Sequence, residues 1–164
     1  MIRHICNIIL WFLPPTRMFR LRNLMLRATG IQLGSDVRFC GRSWIYGRGL
    51  LKVGSDTWIS PGAVIFTHVE AQISVGNCCD IGPGVEFITG GHMIGPHGRR
   101  AGVGNAKSIF VGNGVWIGAK SIILGGVTIG SGSIIAAGSL VRSDVPENSL
   151  VAGVPGVIKR TLDL

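Results

Sequence analysis

The sequence predicts an all-β parallel solenoid of about five coils, preceded by a short helical segment. Two observations carry this. From position 33 onward an aliphatic or aromatic residue recurs every sixth position: Leu33, Phe39, Ile45, then Val53, Ile59, Ile65, then Val75, Ile81, Phe87, then Val111, Ile117, Ile123, Ile129, Ile135 and Val141. A helix repeats every 3.6 residues and a strand every two, so internal repetition is the organising fact. The chain also holds 26 glycines but only seven prolines among its 164 residues. A turn residue is therefore wanted repeatedly, without the bias of a low-complexity sequence.

The first element is a helical, basic and apolar segment over 1–30. An apolar run from Ile5 to Leu13, interrupted by Asn7, falls well short of the roughly 20 residues that cross a bilayer. Pro14, Pro15 and basic residues follow it where a signal peptide would place small residues, so secretion is not expected. From Thr16 to Ala28, Met18, Phe19, Leu21, Leu24 and Met25 recur at helical spacing, Arg17, Arg20, Arg22 and Arg27 take other positions, and Gly30 can end the helix. Two readings fit two such helices. They lie on the inner-membrane surface, or they cover the open end of the core or pack between subunits.

The second element, 31–158, is the solenoid, with a C-terminal tail at 159–164. Each six-residue unit is a short strand plus a turn, and three units close a triangular coil whose inward aliphatic side chains stack on those of the next. Glycines at 34, 54, 76, 82, 112, 118 and 130 suit tight corners.

Composition narrows the function. With 46% apolar and 15% charged residues the chain can bury a core. Lys and Arg outnumber Asp and Glu by 16 to 8, which favours anionic partners. Nucleic acid is not expected, because neither recognition helices nor stacking aromatics accompany the charge, and Tyr46 is the single tyrosine. Cys6, Cys40, Cys78 and Cys79 lack C-x-x-C spacing in a chain long enough not to need disulfides, which points to a reducing cytoplasm. On a strand, adjacent Cys78 and Cys79 would face opposite sides.

The period fails between Phe87 and Val111, so a loop at 89–108 leaves the coil. Insertions in a solenoid fall on loops, where binding and catalytic groups concentrate. His92 opens this one, and an imidazole can take a proton near neutral pH. Arg99 and Arg100 could clamp a carboxylate or phosphate of a substrate through their planar donors. Trp116, in the next ordered coil, has an indole N–H that could reach the same space or could pack at a subunit interface.

Val115-Trp116-Ile117-Gly118-Ala119, Gly126-Val127-Thr128-Ile129-Gly130, Ala137-Gly138-Ser139 and Ala152-Gly153-Val154-Pro155, with Thr89-Gly90-Gly91-His92, closely resemble the hexapeptide-repeat acyltransferases over positions 31 to 160. The resemblance implies a left-handed parallel β-helix and a homotrimer with three equivalent sites. It also implies transfer of an acetyl group from acetyl-CoA to a hydroxyl, with His92 as general base and no metal. Sugar and surface-polysaccharide O-acetyltransferases are the members most similar, which implies a cytoplasmic enzyme acting on a small or lipid-linked sugar acceptor, with peripheral contact to the inner membrane open. Coenzyme A would lie along the C-terminal coils. Trp116 would sit beside its thiol arm, Ala119, Ala136, Ala137 and Arg142 alongside the pantetheine, and Lys159 or Arg160 near the phosphates. Val157 departs from the family, which often has a basic residue there. Xenobiotic and serine acetyltransferases share the fold. So does γ-class carbonic anhydrase, whose three zinc-binding histidines would correspond to His68, His92 and His97. A non-catalytic scaffold is the remaining reading.

Overall fold

The computed structural model describes residues 1–163 and is the expected left-handed parallel β-helix. Three faces each stack one short strand per coil. The first face holds Gln32–Leu33, Leu50–Val53, Gln72–Val75, Ile109–Val111 and Thr128–Ile129. The second holds Arg38–Phe39, Trp58–Ile59, Asp80–Ile81, Trp116–Ile117, Ile134–Ile135 and Ser149–Ala152. The third holds Trp44–Tyr46, Val64–Phe66, Glu86–Ile88, Ile122–Leu124 and Leu140–Val141. Five complete coils result, as the repeat predicts. The rung residues read from the sequence form the core: Ile59, Ile81, Ile117 and Ile135 stack on one face and Ile45, Ile65, Phe87, Ile123 and Val141 on another, each at most 3% exposed.

Coil length is regular except at one corner. On the third face, Ile123 to Val141 advances 18 residues, Ile45 to Ile65 advances 20, Ile65 to Phe87 advances 22 and Phe87 to Ile123 advances 36. The links from the first face to the second and from the second to the third keep the same length throughout. Every surplus residue leaves at the corner joining the third face back to the first, at 47–49, 67–71 and 89–108.

The corner glycines exclude bulkier side chains, as expected, but through close approach of neighbouring coils rather than by taking the turn themselves. Gly76 does not itself turn the corner; a Cβ there would come within 2.5 Å of the Gly112 carbonyl oxygen of the neighbouring coil, so close coil approach selects glycine. The left-handed turn is taken two residues later, by Asp36, Asp56, Cys78, Gly114, Gly132 and Asn148 at one corner. Cys78 is thus exposed and Cys79 buried, as foreseen, but through a corner turn preceding the strand rather than strand alternation. A side-chain ladder runs up the same corner: Ser35 N–H donates to Ser55 Oγ (3.1 Å), Ser55 N–H to Asn77 Oδ1 (2.7 Å), Asn77 N–H to Asn113 Oδ1 (2.8 Å) and Asn113 N–H to Ser131 Oγ (3.2 Å).

Helices α1 (Ile2–Phe12) and α2 (Phe19–Ala28) pack on the first coil, where Cys6, Leu10 and Leu26 join the core. α2 turns a different face inward from the one its apolar spacing suggested. It buries Arg22, Asn23 and Leu26, while Leu21 and Leu24 are exposed. Polar docking explains this. Arg22 donates to the carbonyls of Leu10 (3.1 Å), Leu13 (3.0 Å), Pro14 (2.7 Å) and Arg17 (3.2 Å), gathering the end of α1 and the following link around one guanidinium. Gly41 leaves room for it, since a Cβ there would lie 2.7 Å from Arg22 Nη2. Asn7 and Asn23 bond the backbone of Ile45 and Val37. Burial pushes the neighbouring Cys40 thiol up to about 11, with the Arg22 charge pulling the other way, so Cys40 stays protonated and inert.

At the far end the chain reverses, and Val157–Thr161 pairs antiparallel with Ser149–Ala152. The boundary drawn at 158 therefore cuts a strand, and the last position of the 159–164 tail lies outside the described residues. We expect Arg22→Met to cost about 2–4 kcal/mol in chemical denaturation, because one buried and three part-buried carbonyls lose a charged donor. An unchanged unfolding midpoint would contradict the role given to that guanidinium.

Candidate active site

The break in the repeat is a β-hairpin rather than an irregular loop. Gly90–Ile94 pairs antiparallel with Ala101–Ala106, with Gly90 opposite Ala106, Gly91 opposite Asn105 and His92 opposite Gly104. Its root is Thr89, which is buried; the hydroxyl donates to the Phe66 carbonyl of the preceding coil at 2.8 Å, and the Thr89 carbonyl accepts from Lys107 N–H at 3.0 Å. The Thr-Gly-Gly-His run thus divides into an anchor, two small residues that clear the corner, and a side chain carried beyond it.

His92 is exposed, and its Nδ1 lies 3.0 Å from the Gly102 carbonyl oxygen across the hairpin. A carbonyl can only accept, so the neutral ring carries its proton on Nδ1 and leaves the Nε2 lone pair free. The group that orients the ring is therefore backbone, supplied by the returning strand. Sequence reasoning did not identify it, because a glycine carbonyl leaves no signature in the residue type.

Arg99, Arg100 and His97 occupy the exposed tip of the hairpin, where Arg100 makes one long bond to the Gly95 carbonyl (3.4 Å). His68 belongs to the smaller insertion at the same corner; its Nδ1 accepts the Glu70 N–H at 3.2 Å and lies 3.9 Å from the Glu70 carboxylate. Among the described residues no group of three His, Cys, Asp or Glu is placed to hold a metal ion, so one chain does not gather His68, His92 and His97.

Trp116 stands elsewhere, on the second face and 56% exposed. The register puts Asp80 between Trp58 and Trp116 on adjacent coils. These three residues, with Ser60, Gly82 and Pro83, line an open groove. Trp58 Nε1–H donates to Ser60 Oγ (3.1 Å), and the Arg38 guanidinium lies 5.8 Å from the Trp58 ring. Two indole faces flanking a carboxylate suit a polyol with apolar C–H faces. Trp58, Ser60 and Asp80 were not singled out from the sequence; their outward position, one residue before each inward Ile or two residues after Trp58, was the available signal.

Several proposed cofactor contacts follow one strip. Trp116, Ala136 and Arg160 belong to coils or strands of the second face, and Ala119 and Ala137 follow at its corner toward the third. A Cβ on Gly118 would run into the Ala137 backbone, so the strip is built from residues with almost no side chain. Lys159 and Arg160 lie exposed on the terminal antiparallel strand, while Arg142 is exposed just beyond Leu140–Val141 on the third face. The chain thus gathers Trp116, Ala119, Ala136, Ala137, Lys159 and Arg160 along one side of the solenoid. His92, Arg99 and Arg100 extend from the corner between the other two faces.

The family model "Bacterial transferase hexapeptide (six repeats)" matches residues 108–143. A galactoside O-acetyltransferase of Lactococcus lactis is 39% identical over 94 residues, covering 57% of this chain and 45% of the relative. The chain thus spans about half the length of that relative. A hexapeptide-repeat acetyltransferase of Vibrio cholerae, solved with acetyl coenzyme A, superposes with a TM-score of 0.88 at 27% identity over 99% of this chain and 86% of that one. A polySia-specific acetyltransferase superposes at 0.71 with 28% identity, over 80% of this chain and 61% of the other.

Imidazole nitrogen NMR should find the neutral His92 ring protonated on Nδ1. A ring protonated on Nε2 would mean that the Gly102 carbonyl does not hold it.

Proposed function

The chain belongs to the hexapeptide-repeat acetyltransferase family, and from that premise we propose that it transfers an acetyl group from acetyl-CoA to a sugar hydroxyl in surface-polysaccharide biosynthesis. The observation that carries the chemistry is His92: its Nδ1–H is tied to the Gly102 carbonyl, and its Nε2 is free at the exposed edge of the solenoid. A thioester is already a good acyl donor, so the protein must mainly place a hydroxyl against it and accept one proton.

In this reading the acceptor hydroxyl oxygen attacks the thioester carbonyl carbon while Nε2 of His92 takes its proton. The resulting imidazolium is stabilised by the same Gly102 carbonyl that set the tautomer. Collapse of the tetrahedral intermediate breaks the C–S bond, and the departing thiolate receives the proton from His92. Donors near the carbonyl, with the Trp116 indole N–H the candidate, would stabilise the oxyanion.

The acetyl donor lies along the strip of Ala119, Ala136 and Ala137, with Arg142 also alongside its pantetheine and Lys159 or Arg160 toward its phosphates. Lys159 takes over the contact that Val157 cannot make. Because the arm and that strip stand apart on one chain, the working site combines the His92 hairpin of one subunit with the second face of another, in a homotrimer with three equivalent sites. Arg99 and Arg100 at the hairpin tip hold an acidic or phosphorylated acceptor. We place the enzyme in the cytoplasm, peripheral to the inner membrane, where lipid-linked sugars are presented.

Release of CoA thiol from acetyl-CoA against a panel of free, nucleotide-linked and lipid-linked sugars tests the reading. His92→Ala should lower turnover by roughly 10²- to 10⁴-fold with CoA binding kept. Full activity in that variant would remove His92 as the base, and absence of acceptor-dependent release from the intact chain would remove the transferase.

A further inference from the structure

The two N-terminal helices carry their hydrophobicity on the wrong side for a protein surrounded by water. α1 buries Cys6, Asn7 and Leu10, yet exposes Ile2, Ile5, Ile8, Ile9, Trp11 and Phe12, the last 82% exposed. α2 buries Arg22 and Asn23 and exposes Leu21 and Leu24. The inward side chains Asn7, Arg22 and Asn23 each bond backbone carbonyls or amides, which favours this orientation, while Asn23 Oδ1 is buried without a partner. The outcome is a set of exposed large apolar side chains on both helices, of the kind that marks an interaction surface.

The charge around the patch identifies the cover. Residues 1–35 contain Arg3, Arg17, Arg20, Arg22 and Arg27 and none of the eight Asp and Glu residues of the chain. Arg17 and Arg20 are exposed in and beside α2. A contact between copies of this segment would bring arginines together with no carboxylate of the segment to offset them. A negatively charged bilayer supplies both an apolar phase for the isoleucines and anionic headgroups for the arginines. Trp11 packs edge-on against Trp44 (6.2 Å between ring centroids) at the margin of the patch, the level at which indoles sit in an interface. No helix among the described residues is long and apolar enough to cross a membrane, so the helices would lie in the plane of the surface.

We propose that α1 and α2 form a docking face for an anionic phospholipid bilayer. The inference rests on the peripheral placement given above, not on the acetyl-transfer chemistry. It also sets a distance. The helices cover the first coil and the His92 hairpin leaves the third, two rungs along, so about 10 Å of solenoid plus a helix layer of about 10 Å separates it from the docking face. The base would then stand within reach of a sugar carried on a lipid headgroup.

Flotation of the intact chain with vesicles tests this. Binding is expected to vesicles of mixed phosphatidylglycerol and phosphatidylcholine, at least 10-fold weaker to phosphatidylcholine alone, and reduced by salt. Ile9→Asp combined with Phe12→Asp should abolish flotation, and Arg17→Glu combined with Arg20→Glu should remove the preference for anionic lipid. All variants should keep the native assembly mass by light scattering and keep acetyl transfer to a soluble acceptor. Failure of the intact chain to float would overturn the docking face and leave the transferase standing. A changed assembly mass in the Ile9 and Phe12 variant would overturn it too, by assigning the patch to a contact between copies.

Discussion

Each coil must close on itself and meet the coil beneath in register, because its backbone amides and carbonyls are satisfied by the coils on either side. That requirement fixes the inward aliphatic at every sixth residue, removes side chains where one coil presses on the next, and forbids extra residues on two of the three corners. The surplus is expelled at the third. The insertions at 47–49, 67–71 and 89–108 line up on one edge for this reason, and the longest carries His92. The placement of His92 is thus a by-product of a packing rule: a rigid prism with one permissive edge.

The parts of this arrangement that obey the packing rule were legible in the sequence. The rungs, the coil count, the two helices and the break at 89–108 follow from periodicity alone, since burial of Ile59 or Ile117 depends on spacing. What depends on pairing across the molecule was not legible. The hairpin register places Gly104 opposite His92 and the Gly102 carbonyl on its Nδ1, and both look like any loop glycines. The inward face of α2 is chosen by the bonds of Arg22 and Asn23, which outweigh the apolar spacing of Leu21 and Leu24. Gly76 looked like a turn residue because a missing side chain reads the same whether it permits a positive φ or a close approach.

The candidate site shows the same division. His92 was singled out because it sits where the repeat fails. Trp58, Ser60 and Asp80 were missed because they sit where the repeat succeeds, on outward positions that the period leaves free to vary. The solenoid separates these positions cleanly: inward residues answer to the core, while outward residues of the second face and the expelled corner are left free of it.

A stack of parallel coils has no intrinsic end, and each terminal coil presents unpaired strand edges that another chain could extend. Here both ends are at least partly covered. The first coil is covered by α1 and α2, and at the other end Val157–Thr161 runs against the direction of every other strand on its face. A reversed strand offers an incoming coil the wrong polarity for parallel pairing. Head-to-tail growth of the coils is therefore opposed by the helices at one pole and by a reversed strand on the second face at the other, while the sides stay free for assembly.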